Sequence, residues 1–163
     1  LNPFDQALAA REFMRNTTQL PRITVAAVVP DGDRFLLVEE RIDGRAVLNQ
    51  PAGHLDPNES LIDAVIRETR EETAWDVRPT AMIGIYQLLL PQVHFVRMTF
   101  LCEALGHDPE ARLDTEIVRT HWLTREEIAS HAVPQRSSLV LRCIDDYLAG
   151  RLWPLEQIVE PLR

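Results

Sequence analysis

A chain of 163 residues with 45% hydrophobic content can bury one proper core and is expected to form one domain. Its formal charge of −8 argues against polymeric nucleic acid, which needs basic patches to neutralise phosphates, but leaves room for a small phosphorylated ligand whose charge metal ions would offset. Only two cysteines occur, Cys102 and Cys143, without the paired spacing of a zinc site, so both are expected to be buried, reduced thiols.

Residues 1–20 read as an N-terminal extension. Asn2-Pro3 can open a helix that carries Phe4, Ala7, Leu8 and Met14 on one side. Asp5, Arg11, Glu12 and Arg15 interrupt the apolar residues, so no signal peptide or membrane span is expected there, and the default is a cytoplasmic protein without a membrane partner. Residues 21–163 then form the single domain. Ile23 to Val29 and Arg34 to Glu39 are β-rich runs around Pro30-Asp31-Gly32-Asp33, which reads as a hairpin turn. Asp43-Gly44 marks another turn, and Val47 to Gln50 a short strand. Ser60-Leu-Ile-Asp63 reads as a capping box, predicting a helix from Ser60 to about Thr73 with Leu61, Ala64, Val65 and Thr69 on its buried stripe. Ile83 to Leu90 and His94 to Ala104 are expected to pair across Pro91-Gln92. Glu116 to Trp122 is a further strand, Thr124 to Glu127 a capping box opening a short helix, and Ser137 or Ser138 begins a last helix through Tyr147, ended by Gly150. This order fits a mixed sheet between helices, an α/β fold.

The segment GHLDPNESLIDAVIRETREETAW places Gly53, Glu59, Arg67, Glu68, Glu71 and Glu72 at the spacing G-x5-E-x7-R-E-x-x-E-E. At 100° per residue Glu68, Glu71 and Glu72 share one helix face, where like charges repel unless something positive sits among them. Mg²⁺ suits three carboxylates, since it takes hard oxygen ligands and is completed by water and substrate phosphate. Arg67 can brace a glutamate through a forked hydrogen bond. The plainer reading of an Arg-Glu-Glu run is a solvated helix face; the upstream Gln50-Pro51-Ala52-Gly53, read as an extended residue before proline and a flexible turn close to a ligand, with Glu59 just before the helix, reverses it.

This pattern resembles the signature of the Nudix hydrolases, departing from it at Thr69, where an aliphatic residue is usual, and at Ala74, which replaces the final glycine. The resemblance implies a Nudix-type α/β/α sandwich with a mixed β-sheet. It also implies Mg²⁺, with Mn²⁺ as a substitute, on Glu68, Glu71, Glu72 and the Ala52 carbonyl. Glu68 is then either a ligand or a general base oriented by Arg67, and Glu71 belongs to the same catalytic group. Gly53 and Glu59 are structural, the latter through a contact with Arg67. Glu116, just before a strand, is where several members place another acid; the alternative is a solvated strand-end carboxylate. Arg97, in an otherwise apolar strand, is either a partner for substrate phosphate or paired with a core carboxylate. Asn49, Gln50, Glu39 and Trp122 are candidates for shaping the substrate pocket, and His54 reads as structural.

Segments flanking the motif, VEERIDGRAVLNQPAGHL, HWLTREEI and RSSLVLRCIDDYLAGRLWPLEQI, resemble a bacterial phosphatase branch of that family. The activity this implies is metal-dependent hydrolysis of phosphoanhydride bonds in nucleoside tri- and diphosphates and in hydroxymethylpyrimidine diphosphate or related thiamine-pathway diphosphates. The rival readings are a pyrophosphatase acting on ADP-ribose, oxidised nucleotides or another X-linked nucleoside diphosphate, and a non-catalytic nucleotide-sensing module. Monomer and homodimer are both open.

Overall fold

Near-continuous apolar runs set the architecture. In the computed structural model, which describes residues 20–91 and 93–159, β1 (Arg22–Val28) and β3 (Arg34–Ile42) are buried along most of their length, as strands covered on both faces must be. Successive residues point to opposite faces. Ala27 and Leu36 join one core with Phe100 and with Ala64 and Val65 of helix α1 (Leu61–Thr73). Val28 and Leu37 join a second core with Ile128 of α2 (Arg125–Ala129) and Val140, Cys143 and Ile144 of α3 (Leu139–Leu148). Helices therefore cover both sides of the strands. The helix expected within the extension of residues 1–20 falls on residues 1–19, which lie outside the described residues.

The strands form two four-stranded sheets. The first has the order β5 (Ala52–His54), β1, β7 (Val93–His107), β6 (Trp75–Leu90), with β1 parallel to β7 and the other pairs antiparallel. In the second, β3 pairs with β2 (Pro30–Asp31) and β4 (Arg45–Asn49) along one edge and with β8 (Ile117–Thr124) along the other. The expected hairpin joins only β2 to β3, turning at Gly32 with φ +61°. β1 is occupied on its two edges by β5 and β7 and so stays in the first sheet, while Val29 just beyond it accepts from the Leu36 N–H at 3.0 Å. The strand expected from Ile83 starts at Trp75 instead, directly after α1. The long hairpin accommodates Pro79 and Gly84 at register shifts between Pro79/Ala81 and Met82/Gly84, with a further shift between Asp76/Val77. Both cysteines are free and buried, as expected, and burial pushes the Cys102 thiol up to about 12.

Helix α1 runs almost over the expected span. The Ser60 hydroxyl accepts from the Asp63 N–H at 3.0 Å, but the Asp63 carboxylate bonds back to that hydroxyl at 2.8 Å. Asp63 is one methylene short of the Glu or Gln that reaches the cap N–H in a full capping box. Thr124 and Glu127 of α2 form the full box. Buried Thr69, at the usually aliphatic position, satisfies its hydroxyl on the Val65 carbonyl at 2.7 Å. The helix ends at Ala74, which is left-handed with φ 59° and bonds back to the Arg70 carbonyl at 2.8 Å.

Alanine in that conformation costs roughly 1 kcal/mol relative to glycine, and loss of the buried Ala74 methyl offsets part of the gain. Ala74→Gly should raise unfolding free energy by a few tenths to about 1 kcal/mol and leave turnover within about threefold, because no acid of the motif moves. Denaturant unfolding alongside a rate assay checks both; destabilisation would mean that the methyl's packing outweighs the backbone term.

Candidate active site

Glu68 and Glu72 lie one turn apart on the flank of α1 that turns inward, both buried, whereas the Glu71 side chain is 45% exposed. The three acids therefore do not share one solvent-facing surface. The inward flank meets β5. Hydrogen bonds from Ala27 N to Pro51 O at 2.9 Å and from Leu55 N to Ile23 O at 3.2 Å fix the β1–β5 register, which turns the backbone groups of Ala52 and His54 outward, away from β1. The Ala52 N–H donates to Glu72 Oε2 at 2.8 Å, and the His54 carbonyl accepts from Arg67 Nη2 at 3.1 Å. The Ala52 carbonyl points to the same side as its N–H, toward the acids.

Gly53, expected in a turn, is instead the middle residue of β5, opposite Val25. Its importance is room: a Cβ at Gly53 would overlap the Glu68 carboxyl group. Close approach of strand and carboxylate, not a left-handed backbone, is what requires glycine here.

Arg67 ties the acids together. Its Nε and Nη2 fork onto Glu59 at 2.7 and 2.8 Å, and its Nη1 donates to Glu68 Oε1 at 2.8 Å and Glu71 Oε2 at 3.0 Å. The Asp56 N–H holds Glu59 from the other side at 3.1 Å. The expected Glu59–Arg67 contact is thus present, and the Arg67 guanidinium, hydrogen-bonded to it, lowers the Glu59 carboxyl from its ordinary value.

Burial raises both inward acids. Glu68 is raised by desolvation and eased by Arg67. Glu72 is pushed up to about 8, first by desolvation and then by the charges of Glu40, Glu68 and Asp114, against one favourable bond from Ala52. Among the described residues no three His, Cys, Asp or Glu side chains already stand as a ready metal cage: Glu68 and Glu71 are drawn onto Arg67, and Glu72 onto the Ala52 N–H. The donor chemistry nevertheless fits a hard divalent cation, because crowded, desolvated carboxylates with an outward carbonyl beside them lack only positive charge.

A cleft of about 400 Å³ opens over this corner, and Ala52, Gly53, Glu68, Glu72, Arg97 and Glu116 all line it. Of the other sequence candidates, Asn49 and Gln50 are fully buried and off its wall. Asn49 Oδ1 faces Arg97 Nη1 at 3.5 Å, and Gln50 Nε2 donates to the Val140 carbonyl at 2.6 Å. Glu39 is bound to His121 at 3.0 Å and Arg119 at 3.2 Å, and Trp122 packs edge-on against Trp75; neither lines the cleft. No described carboxylate lies within ion-pair distance of Arg97; burial lowers its pKa, while the charges of Glu40 and Glu72 act in the opposite direction.

Sequence reading did not single out Glu40, Asp114 and Arg136, which also line the cleft. Both Glu40 oxygens accept from Arg136 Nη1, at 2.9 and 2.8 Å. The only sequence signal for Glu40 is a charge in a buried strand, and nothing local marks its tie to Arg136. His54 also lines the cleft, 6.3 Å from the Phe95 ring, with its pKa lowered by burial and by Arg22 and Arg136.

The NUDIX domain family matches residues 20–143, and the chain belongs to that family of hydrolases, which act on phosphorus-containing acid anhydrides with divalent metal ions. It is 40% identical to the protein named Phosphatase NudJ of Escherichia coli K12 over 139 residues, 85% of this chain and 90% of that protein. A NUDIX hydrolase from Nitrosomonas europaea superposes with a TM-score of 0.83 at 42% identity, covering 86% of this chain and 97% of that one. An ADP-ribose pyrophosphatase from Streptococcus suis, 21% identical with a TM-score of 0.61 over 81% of this chain and 93% of its own, shares the fold. The expected α/β Nudix architecture is therefore found. No described helix is long and apolar enough to cross a membrane.

Two outcomes follow from this geometry. Gly53→Ala should displace the Glu68 carboxylate and lower turnover about 100-fold, the scale of an ångström-level misplacement; near-wild-type turnover would show that the strand moves instead. For Glu72, a folded pKa of about 8 stands above its ordinary value of 4.5, so its protonated form favours the fold. That contribution is complete below about pH 4.5 and is lost as pH rises toward 8. Thermal unfolding in EDTA should show the decline across this window; Glu72→Gln should flatten it and added Mg²⁺ should reverse it.

Proposed function

We propose that this hydrolase cleaves phosphoanhydride bonds of nucleoside tri- and diphosphates and of small pyrimidine diphosphates, releasing orthophosphate from the terminal position, with Mg²⁺ held by Glu68, Glu71, Glu72 and the Ala52 carbonyl. The observation that carries the reading is the Glu68–Glu72 pair, desolvated against β5 at the mouth of a cleft. A bound divalent ion there supplies Lewis acidity, making a nearby water more acidic and screening charge on the phosphate. The residues do the rest by placement. Glu68 accepts the proton of the attacking water, a role compatible with its raised pKa, and Arg67 fixes its rotamer by the 2.8 Å bond to Oε1. Glu116, on the cleft wall, is a second acid for proton transfer, and Asp114 adds to the negative field that recruits the cation. Glu71, the exposed acid, is bonded to Arg67 Nη1 at 3.0 Å and would have to turn inward from it to join Glu68 and Glu72 in holding a cation. Restriction to small substrates follows from the cleft volume of about 400 Å³, near the lower end of ligand pockets.

The 40% identity to a phosphatase over 85% of the chain supports terminal-phosphate release over internal cleavage. The test is a panel of di- and triphosphates with Mg²⁺ in which each product is identified. Orthophosphate is expected; pyrophosphate or paired monophosphates would move the substrate to an X-linked diphosphate, and binding without turnover would make the chain a sensor. Glu68→Gln and Glu72→Gln should each lower turnover by at least about 100-fold, within the range for acid–base and electrostatic groups. Retained activity in both would remove the mechanism.

A further inference from the structure

Arg97 is a cation at the floor of the cleft that no described carboxylate touches; the charges of Glu40 and Glu72 act on it only from beyond ion-pair distance. It sits on β7, beside Thr24 of β1 and Tyr86 of β6, and only 9% of its surface is exposed. A guanidinium carries five N–H donors, and the single bond found among described residues is the long one to Asn49, at 3.5 Å. The remaining donors are not sealed into the protein: none of the buried, unpartnered side-chain atoms belongs to Arg97, so its open surface is the surface it gives to the cleft. The neighbouring cations differ. Arg136 is held by Glu40, and Arg67 by three glutamates. A charge at this depth is normally matched by a carboxylate or by several hydrogen bonds. Across the strand pair, the Thr24 hydroxyl is also buried and unpartnered, in a residue that lines the same cleft. Arg97 donors open to the cleft, beside a Thr24 hydroxyl without a partner, mark a place for an acceptor that the described residues do not provide.

We propose that Arg97 forms a metal-independent subsite for a tetrahedral oxyanion, the phosphoryl group of the substrate that the glutamates do not hold, with Asn49 positioning its guanidinium. This rests on the hydrolase reading above and extends it, because it gives the substrate two anchors in one cleft: a phosphoryl group at the acids and a second at Arg97. A substrate with one phosphoryl group fills one anchor only. Asn49 suits its role because its amide oxygen directs the guanidinium without neutralising it, as an aspartate would.

The test titrates inorganic phosphate into the full chain in EDTA and follows the ¹⁵N–¹H resonance of Arg97 Nε, with thermal unfolding as a check on the fold. A saturable shift is expected. Arg97→Gln should weaken phosphate binding at least about tenfold, the scale of one charge-assisted bond, while Glu68→Gln should leave it within about twofold. Asn49→Asp should supply the missing counter-charge, raising the unfolding temperature while weakening phosphate about as much as Arg97→Gln; an Asn49 with a purely structural part would leave phosphate affinity unmoved. The subsite is overturned if the wild type shows no saturable binding, if phosphate saturates without moving the Arg97 resonance, or if folded Arg97→Gln binds like the wild type. Phosphate bound at Arg97 by a chain that hydrolyses nothing with Mg²⁺ would sink the enzymatic reading and leave the subsite standing; hydrolysis with Arg97 silent would do the reverse.

Discussion

The active corner depends on the fork between Arg67 and Glu59. Two short bonds fix the guanidinium plane, and a planar group so held can offer its third nitrogen to Glu68 and Glu71 in one direction only. Without Glu59 the same arginine would be free to follow the exposed Glu71 into solvent. The loop carrying Glu59 is tied in turn by Asp56 N–H, and the strand ahead of it by the His54 carbonyl on Arg67. One cation therefore joins loop, strand and helix, and sets the orientation of two acids whose own repulsion would separate them.

Burial and charge work against one another in this corner, and the opposition is informative. The stretch that packs α1 onto the sheets also desolvates Glu68 and Glu72, and the low exposure of these acids raises their proton affinity. A core-facing helix gains nothing in stability from two such acids. The fold tolerates them because Arg67 and the Ala52 N–H each satisfy part of the charge, leaving a deficit that a divalent ion can fill. The cleft repeats this economy with opposite sign at Arg97.

Much of this was legible in the chain because it is local. The span of α1 follows from Ser60 and from the period of Ala64, Val65 and Thr69, and the Arg67–Glu59 contact is one that the family resemblance implied. What escaped was set by neighbours distant in sequence. Glu40 meets Arg136 only because β3 and the loop before α3 converge on the cleft. Asn49 and Gln50 looked like pocket residues beside the motif, yet the β4 turn directs them inward, to Arg97 and to the Val140 carbonyl. The strand expected from Ile83 begins at Trp75, because propensity cannot see that a long hairpin partner will tolerate bulges at Pro79 and Gly84. Gly53 was marked for importance but assigned the wrong cause, because the crowding that demands it comes from a carboxylate fifteen positions onward, on another element.

The parallel pairing of β1 with β7 makes the chemistry depend on contacts distant in sequence. Arg22 finds Phe95, and Thr24 finds Arg97, only after the intervening hairpin, helix and edge strand have been threaded between them, and closing so long a segment is entropically slow. Arg97 reaches the cleft through that non-local pairing, and β5 likewise needs β1 to bring the Ala52 N–H against Glu72. The acidic corner and the basic floor therefore hang on the two edges of one strand, so a change that loosens β1 should disable both ends of the cleft together.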